Sequence, residues 1–311
     1  MNNPPSSPDN SNDHHHAPRP DEAVRRLLPL TVWLCSDTTP TPNSGDTAST
    51  AAVRRSHSQM PKGEICQRHR QAVGRQLARH LISACTREGD VVAEGFTSSE
   101  ATLAAAAELG RRGVALVPHF PLAQHIGARL RAALPKDQLN RVEMRPCRPD
   151  QMTRGLADHL GDVALVVAAP PPYETGGRTP AGEGRSGCPV CRTDPPMLTS
   201  REFGLFLAAA WRVLRPGGVL AITTTARHQA GRFIDPAPRI IRQVRGAGFS
   251  YVQHVVALRV PIQGDALVVQ AGPTDMAQLR DTRSRALPPA VSVHADVSLF
   301  TKTSTPHGAS R

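Results

Sequence analysis

From Gln71 onward the chain alternates between two hydrophobic periods. Val73, Leu77, His80, Leu81 and Ala84 recur at helical spacing, and Asp90-Val91-Val92-Ala93 follows as a short strand-length run. The alternation continues with a helix over 97–109, a strand over 114–117 and a helix over 122–134 that sets Ile126 and Leu130 on one face. A strand over 142–144, a helix over 152–160 and the apolar strand 162–168 come next. A helix over 203–214, a strand over 219–223 and a helix over 238–245 complete the series, the last ending at Gly246-Ala247-Gly248. Two closing strands are expected near 251–260 and 266–269. Strand and helix in strict alternation predict an α/β fold: a Rossmann-like, doubly wound, mostly parallel sheet with helices on both faces. Such sheets bind ligands beyond the carboxyl ends of their strands. No period of repeat-protein length is visible.

The flanks have another character. Residues 1–25 are dominated by Pro, Ser, Asn, Asp and His, too polar to offset ordering entropy, and are expected to be disordered. Residues 26–70 form an extension with a short apolar stretch at 27–34, then a Pro-, Ser- and Thr-rich loop. The regular domain is expected over 71–270 and a C-terminal extension over 271–311. Twenty-nine prolines and 24 glycines agree with long loops. No apolar run reaches the ~18 residues needed to span a bilayer, so no membrane partner is expected. No basic region followed by an apolar one opens the chain, which predicts no secretion signal and a cytoplasmic protein.

Charge narrows the partners. The net charge is +11, and between Arg227 and Arg259 there are six arginines and one acid, Asp235. An arginine-rich surface suits bidentate phosphate contact and favours nucleic acid. Aromatics are only 4%, so stacking platforms for bases are few. Cys188 and Cys191 form a lone Cys-Pro-Val-Cys without a second ligand pair, so no metal site is expected. No Gly-x-Gly-x-x-Gly follows the first strand, which argues against a nicotinamide-dependent dehydrogenase.

Two corners carry more. The strand 162–168 runs into Ala169-Pro170-Pro171-Pro172-Tyr173, and the helix 203–214 closes on Leu214-Arg215-Pro216-Gly217-Gly218. With the strand order, these corners resemble class I S-adenosylmethionine (SAM)-dependent methyltransferases, in particular the DNA methylases that modify N6 of adenine or N4 of cytosine. The likeness covers about 71–270, and 33–39 and 293–300 resemble the flanks of DNA-methylase-like proteins. It implies a seven-stranded sheet, SAM as cofactor and nucleic acid as partner, DNA before RNA.

The resemblance also assigns residues. The first strand-helix turn reads Glu94-Gly95-Phe96-Thr97-Ser98-Ser99-Glu100, with Glu94 in the place of the family's cofactor-binding acid. Gly95 sits where a proline often lies, and Ser98 and Glu100 occupy the family's glycine positions. Thr97 and Glu100 have capping-box spacing, which would satisfy the helix's own donors and set a carboxylate where the ligand's carboxylate docks. His119 stands where the ribose-binding acid would close the second strand, and Asp150 lies a few residues beyond the third acid's place. Glu94, Gly95, Phe96, Thr97, Ser98, His119 and Asp150 are the implied cofactor residues.

Ala169, Pro170, Pro171, Pro172 and Tyr173 are the implied catalytic corner. In the family a polar side chain and a proline carbonyl accept the amino hydrogens, and the flipped base stacks on the aromatic. The polar position falls on Ala169 or Pro170, and neither offers an acceptor side chain. Two readings follow: a methyltransferase on nucleic acid with reduced activity, or a non-catalytic relative that binds nucleic acid or protein.

Overall fold

A computed structural model describes residues 31–36, 73–171, 198–229, 232–260, 262–263, 266–267 and 293–303. The first half contains β1 (Val32–Leu34), α1 (Arg75–Cys85), β2 (Val91–Gly95), α2 (Ala101–Glu108), β3 (Arg112–Leu116), α3 (Phe120–Ala133), α4 (Lys136–Leu139) and β4 (Val142–Arg145). After it come α5 (Met152–Gly155), β5 (Val163–Ala168), α6 (Ser200–Val213), β6 (Leu214–Thr224), the short β7 (Arg227–Gln229) and β8 (Arg232–Ile234), and α7 (Ala237–Gly246). The chain closes with β9 (Ser250–Leu258), β10 (Ile262–Gln263), β11 (Ala266–Leu267) and β12 (His294–Thr301).

One sheet runs β1-β9-β12-β6-β5-β2-β3-β4. Strand β12 is antiparallel to both neighbours, and every other pairing in this sheet is parallel. Strand β5 lies inside the sheet because Val-Ala-Leu-Val-Val-Ala carries no polar side chain, and all of it is buried. A strand covered on both faces needs that composition. The order, with one antiparallel strand inserted before the last parallel one and β1 added at its edge, is a Rossmann-like, doubly wound, mostly parallel sheet.

The structure corrects several expected elements. The sheet has eight strands, not seven, because Val32–Leu34 pairs with β9. The strand expected at 266–269 is, within the described residues, a two-residue hairpin partner of β10. Its place in the sheet belongs to β12, from the segment read as C-terminal extension. The helix expected over 152–160 is one α-turn followed by the 3-10 turn Ala157–His159.

Two layers cover the sheet. On one face Phe203, Phe206 and Leu207 of α6 and Ile240 and Val244 of α7 pack with Met152. On the other, α1 contributes Leu77, Leu81 and Ile82 beside Trp33, and α2 and α3 contribute Leu103, Leu122, Ile126 and Leu130. The Leu-Arg-Pro-Gly-Gly corner opens β6. Gly217 takes φ +75°, a left-handed conformation that glycine adopts without a Cβ penalty. Arg215 reaches past β5 to Asp90 with two hydrogen bonds of 2.8 and 3.0 Å.

Candidate functional site

The site is set by where the strand order reverses. From β2 the chain builds outward through β3 and β4, then returns to place β5 on the other side of β2. Ligands of doubly wound sheets bind at this reversal. The register sets Gly95 opposite Ala168, so Phe96 and Ala169 leave the sheet side by side.

Glu94 is the last charged residue of β2, and only 4% of it is exposed. The Thr102 hydroxyl, from the first turn of α2, donates to its Oε1 at 3.0 Å. Its Oε2 is buried without a hydrogen-bond partner. Burial pushes the carboxyl up to about 8, the Thr102 hydroxyl pulls it down, and the Glu100 carboxylate adds a smaller upward push. At neutral pH Glu94 is therefore mostly a neutral acid with an unused oxygen.

Phe96 follows in a left-handed conformation, φ +60°, which costs a non-glycine residue about 1–2 kcal/mol. Its ring is held edge-on against Phe206 at 5.0 Å between centroids. Gly95 is needed at that contact, since a Cβ there would lie 2.8 Å from the Phe206 ring. A Phe in the left-handed region leaves no compositional trace, so the sequence gives no sign of this bend.

The expected capping box does not form. Helix α2 starts at Ala101, its N-cap Glu100 has helical dihedrals, and no side chain caps it. Thr97 Oγ1 donates instead to the Glu94 carbonyl at 3.3 Å, and Ser99 Oγ accepts from the Ala101 N–H at 3.3 Å. The Glu100 carboxylate is held by Arg129 of α3 at 2.6 Å, which neutralises the charge expected to repel a ligand carboxylate. A capping box does form at the head of α6, between Thr199 and Glu202.

The other expected residues lie along the same edge. Ser98 completes the β2 turn, half-buried. His119 ends the β3 connection, half-buried and extended, as the N-cap of α3. Asp150, past β4, accepts from Arg148 Nε at 3.0 Å, and Arg148 also reaches Glu202 at 3.5 Å. Ala169, Pro170 and Pro171 continue β5, all half-buried, whereas Pro172 and Tyr173 lie outside the described residues, as do Cys188 and Cys191.

Sequence reasoning missed two residues here. Ala168 pairs with Ile222, so Thr223 and Thr224 lie beside Ala169 and Pro170, and both hydroxyls are buried without a partner. The run Thr223-Thr224-Thr225 after an apolar strand was the available signal. Three of the side chains with unpartnered buried atoms thus share one sheet edge: Glu94, Thr223 and Thr224. Among the described residues no cluster of His, Cys, Asp and Glu could hold a metal ion, and no helix is long and apolar enough to cross a membrane.

No family model matches this sequence, and no curated protein matches it. Solved structures are similar at low identity. 1,6-Didemethyltoxoflavin-N1-methyltransferase from Burkholderia thailandensis, with bound 1,6-didemethyltoxoflavin and S-adenosylhomocysteine, is 16% identical at a TM-score of 0.43, over 75% of this chain and 80% of its own. Precorrin-6y C5,15-methyltransferase from Geobacter metallireducens is 12% identical at 0.43, over 78% and 94%. TrmN from Thermus thermophilus is 17% identical at 0.43, over 75% of this chain and 50% of its own.

Proposed function

We propose that this chain binds SAM in the crevice between the ends of β2 and β5 and presents it to an amino group of nucleic acid. The observation that carries the reading is Glu94: a carboxyl with an unused buried oxygen at the reversal of strand order, one strand from Ala169-Pro170-Pro171. Buried polar atoms without partners are rare, and their clustering at a ligand-binding edge fits a site built for a polar guest. The residues present fit a SAM-sized guest in part. Glu94 would face the ammonium of its amino-acid end, His119 stands at the ribose end, and Arg129 holds Glu100 aside. SAM supplies an electrophilic methyl on a sulfonium centre.

The acceptor side is the weak side. Neither Ala169 nor Pro170 can accept an amino hydrogen through its side chain, which removes about 2–4 kcal/mol of transition-state stabilisation relative to an acceptor-bearing corner. Transfer is therefore expected to be slow, with DNA the substrate that the resemblance favours. The experiment is calorimetric titration with SAM. Saturable binding weakened by Glu94→Ala supports the reading, and a flat titration at millimolar SAM removes it.

One observation favours a non-catalytic binding module. The position that the resemblance gives to the ribose-binding acid is His119, which offers no bidentate acceptor there. Labelled methyl transfer to DNA separates the two: SAM binding without any product selects the non-catalytic reading.

A further inference from the structure

Helix α7 carries Arg239, Arg242 and Arg245 and no acid. The three arginines are exposed, while Ala237, Ile240 and Val244 bury the opposite side. Spacings of three residues put them on one solvent-facing stripe, spread over about 9 Å of helix axis. That length spans two to three phosphates at about 3.4 Å per nucleotide.

The stripe is anchored relative to the crevice. Arg239 donates to Ser200 Oγ at 2.5 Å, and Gln243 Nε2 donates to the Ser200 carbonyl at 2.8 Å. These bonds fix α7 against the head of α6, where Arg201 is also exposed. Among the described residues the nearby acids are engaged. Glu202 belongs to the Thr199 capping box and pairs with Arg148, and Asp235 accepts from the Ala237 N–H at 2.9 Å. Among the described residues no ion pair engages Arg242 or Arg245, whereas α1 sets Arg75 and Arg79 against Glu108, and α3 sets Arg129 against Glu100.

We propose that the Arg239–Arg242–Arg245 stripe of α7, continued by Arg201 of α6, is the surface that holds the phosphate backbone of nucleic acid beside the crevice. It deepens the nucleic-acid part of the reading above and rests on it. Polyanion geometry commits the surface to this occupant: a helix with evenly spaced guanidinium groups and no acid complements a regular row of phosphates.

The test is fluorescence anisotropy with a labelled DNA duplex of about 20 base pairs across a salt series. Arg242→Glu/Arg245→Glu is compared with Arg131→Glu/Arg141→Glu, exposed arginines of α3 and of the turn before β4. Each pair of reversals removes four charges, so net charge falls equally in both variants from the wild-type +11. The stripe variant is expected to lose at least about tenfold in affinity and to flatten the log–log salt slope by about two, while the control loses less than about threefold. Equal losses in both variants, no loss in either, or no duplex binding by the wild type at low salt would overturn the proposal. Thermal melts confirm that the variants fold. SAM titration of the same proteins reads the crevice separately: flat SAM binding with the stripe effect intact sinks the donor site and leaves this surface standing.

Discussion

Burial sets the charge of Glu94 before any ligand arrives. Its carboxyl ionises near 8 in the fold against an ordinary 4.5. Below about 4.5 both folded and unfolded chains hold the proton, and this group does not oppose folding. As pH rises to about 8 the unfolded chain has lost a proton that the fold retains, so stability falls across that window by on the order of a few kcal/mol. Glu94→Gln keeps an acceptor for Thr102 and removes the titration. Its melting temperature is expected to exceed the wild type's above about pH 8, with the wild type's decline flattened. Parallel pH profiles for the two proteins would show that Glu94 is not held neutral. At the neighbouring position, Gly95→Ala drives a methyl into Phe206, with an expected loss of about 1–3 kcal/mol in denaturant unfolding.

Among the elements, those with clean periods were legible and those defined by tertiary contact were not. Strand β5 announces itself as an uncharged run, and α1 through its apolar stripe. Helix α2 starts later than its spacing implies, because the Thr97 and Ser99 hydroxyls bind inside the turn and Arg129 takes Glu100. Strand β12 was read as a flank although Ala295, Val297 and Leu299 alternate with polar residues at period two. Its neighbours are β6 and β9, far back in sequence, and no local signal names them. The placement of the β2 turn and of the end of β5 at neighbouring strand ends was legible from the strand pattern, whereas the bend at Phe96 and the unpartnered Thr223 and Thr224 depend on packing. Two element-scale outcomes follow. Thr199→Ala removes the cap of α6 and should cost about 1 kcal/mol by chemical denaturation. Arg215→Ala breaks the paired bonds to Asp90 and, being partly exposed, should lower stability by about 1 kcal/mol, read in the same way.

At the scale of the whole molecule, the proposed donor site and the arginine stripe lie on different elements of one sheet and its covering layer. The proposed donor site is at the ends of β2 and β5, and the arginine stripe runs from the head of α6 along α7, on the layer packed by Phe206 and Ile240. The proposed donor and backbone contacts fall on different elements, so they are expected to fail independently under mutation. The donor half is tested most directly by titrating SAM calorimetrically in two buffers of different ionisation heat, near pH 7. Because binding a cationic guest favours the charged form of Glu94, saturation should come with net proton release, and Glu94→Gln should abolish that release and weaken binding. A heat signal that never saturates, or saturation with the same proton count in Glu94→Gln, would contradict the account.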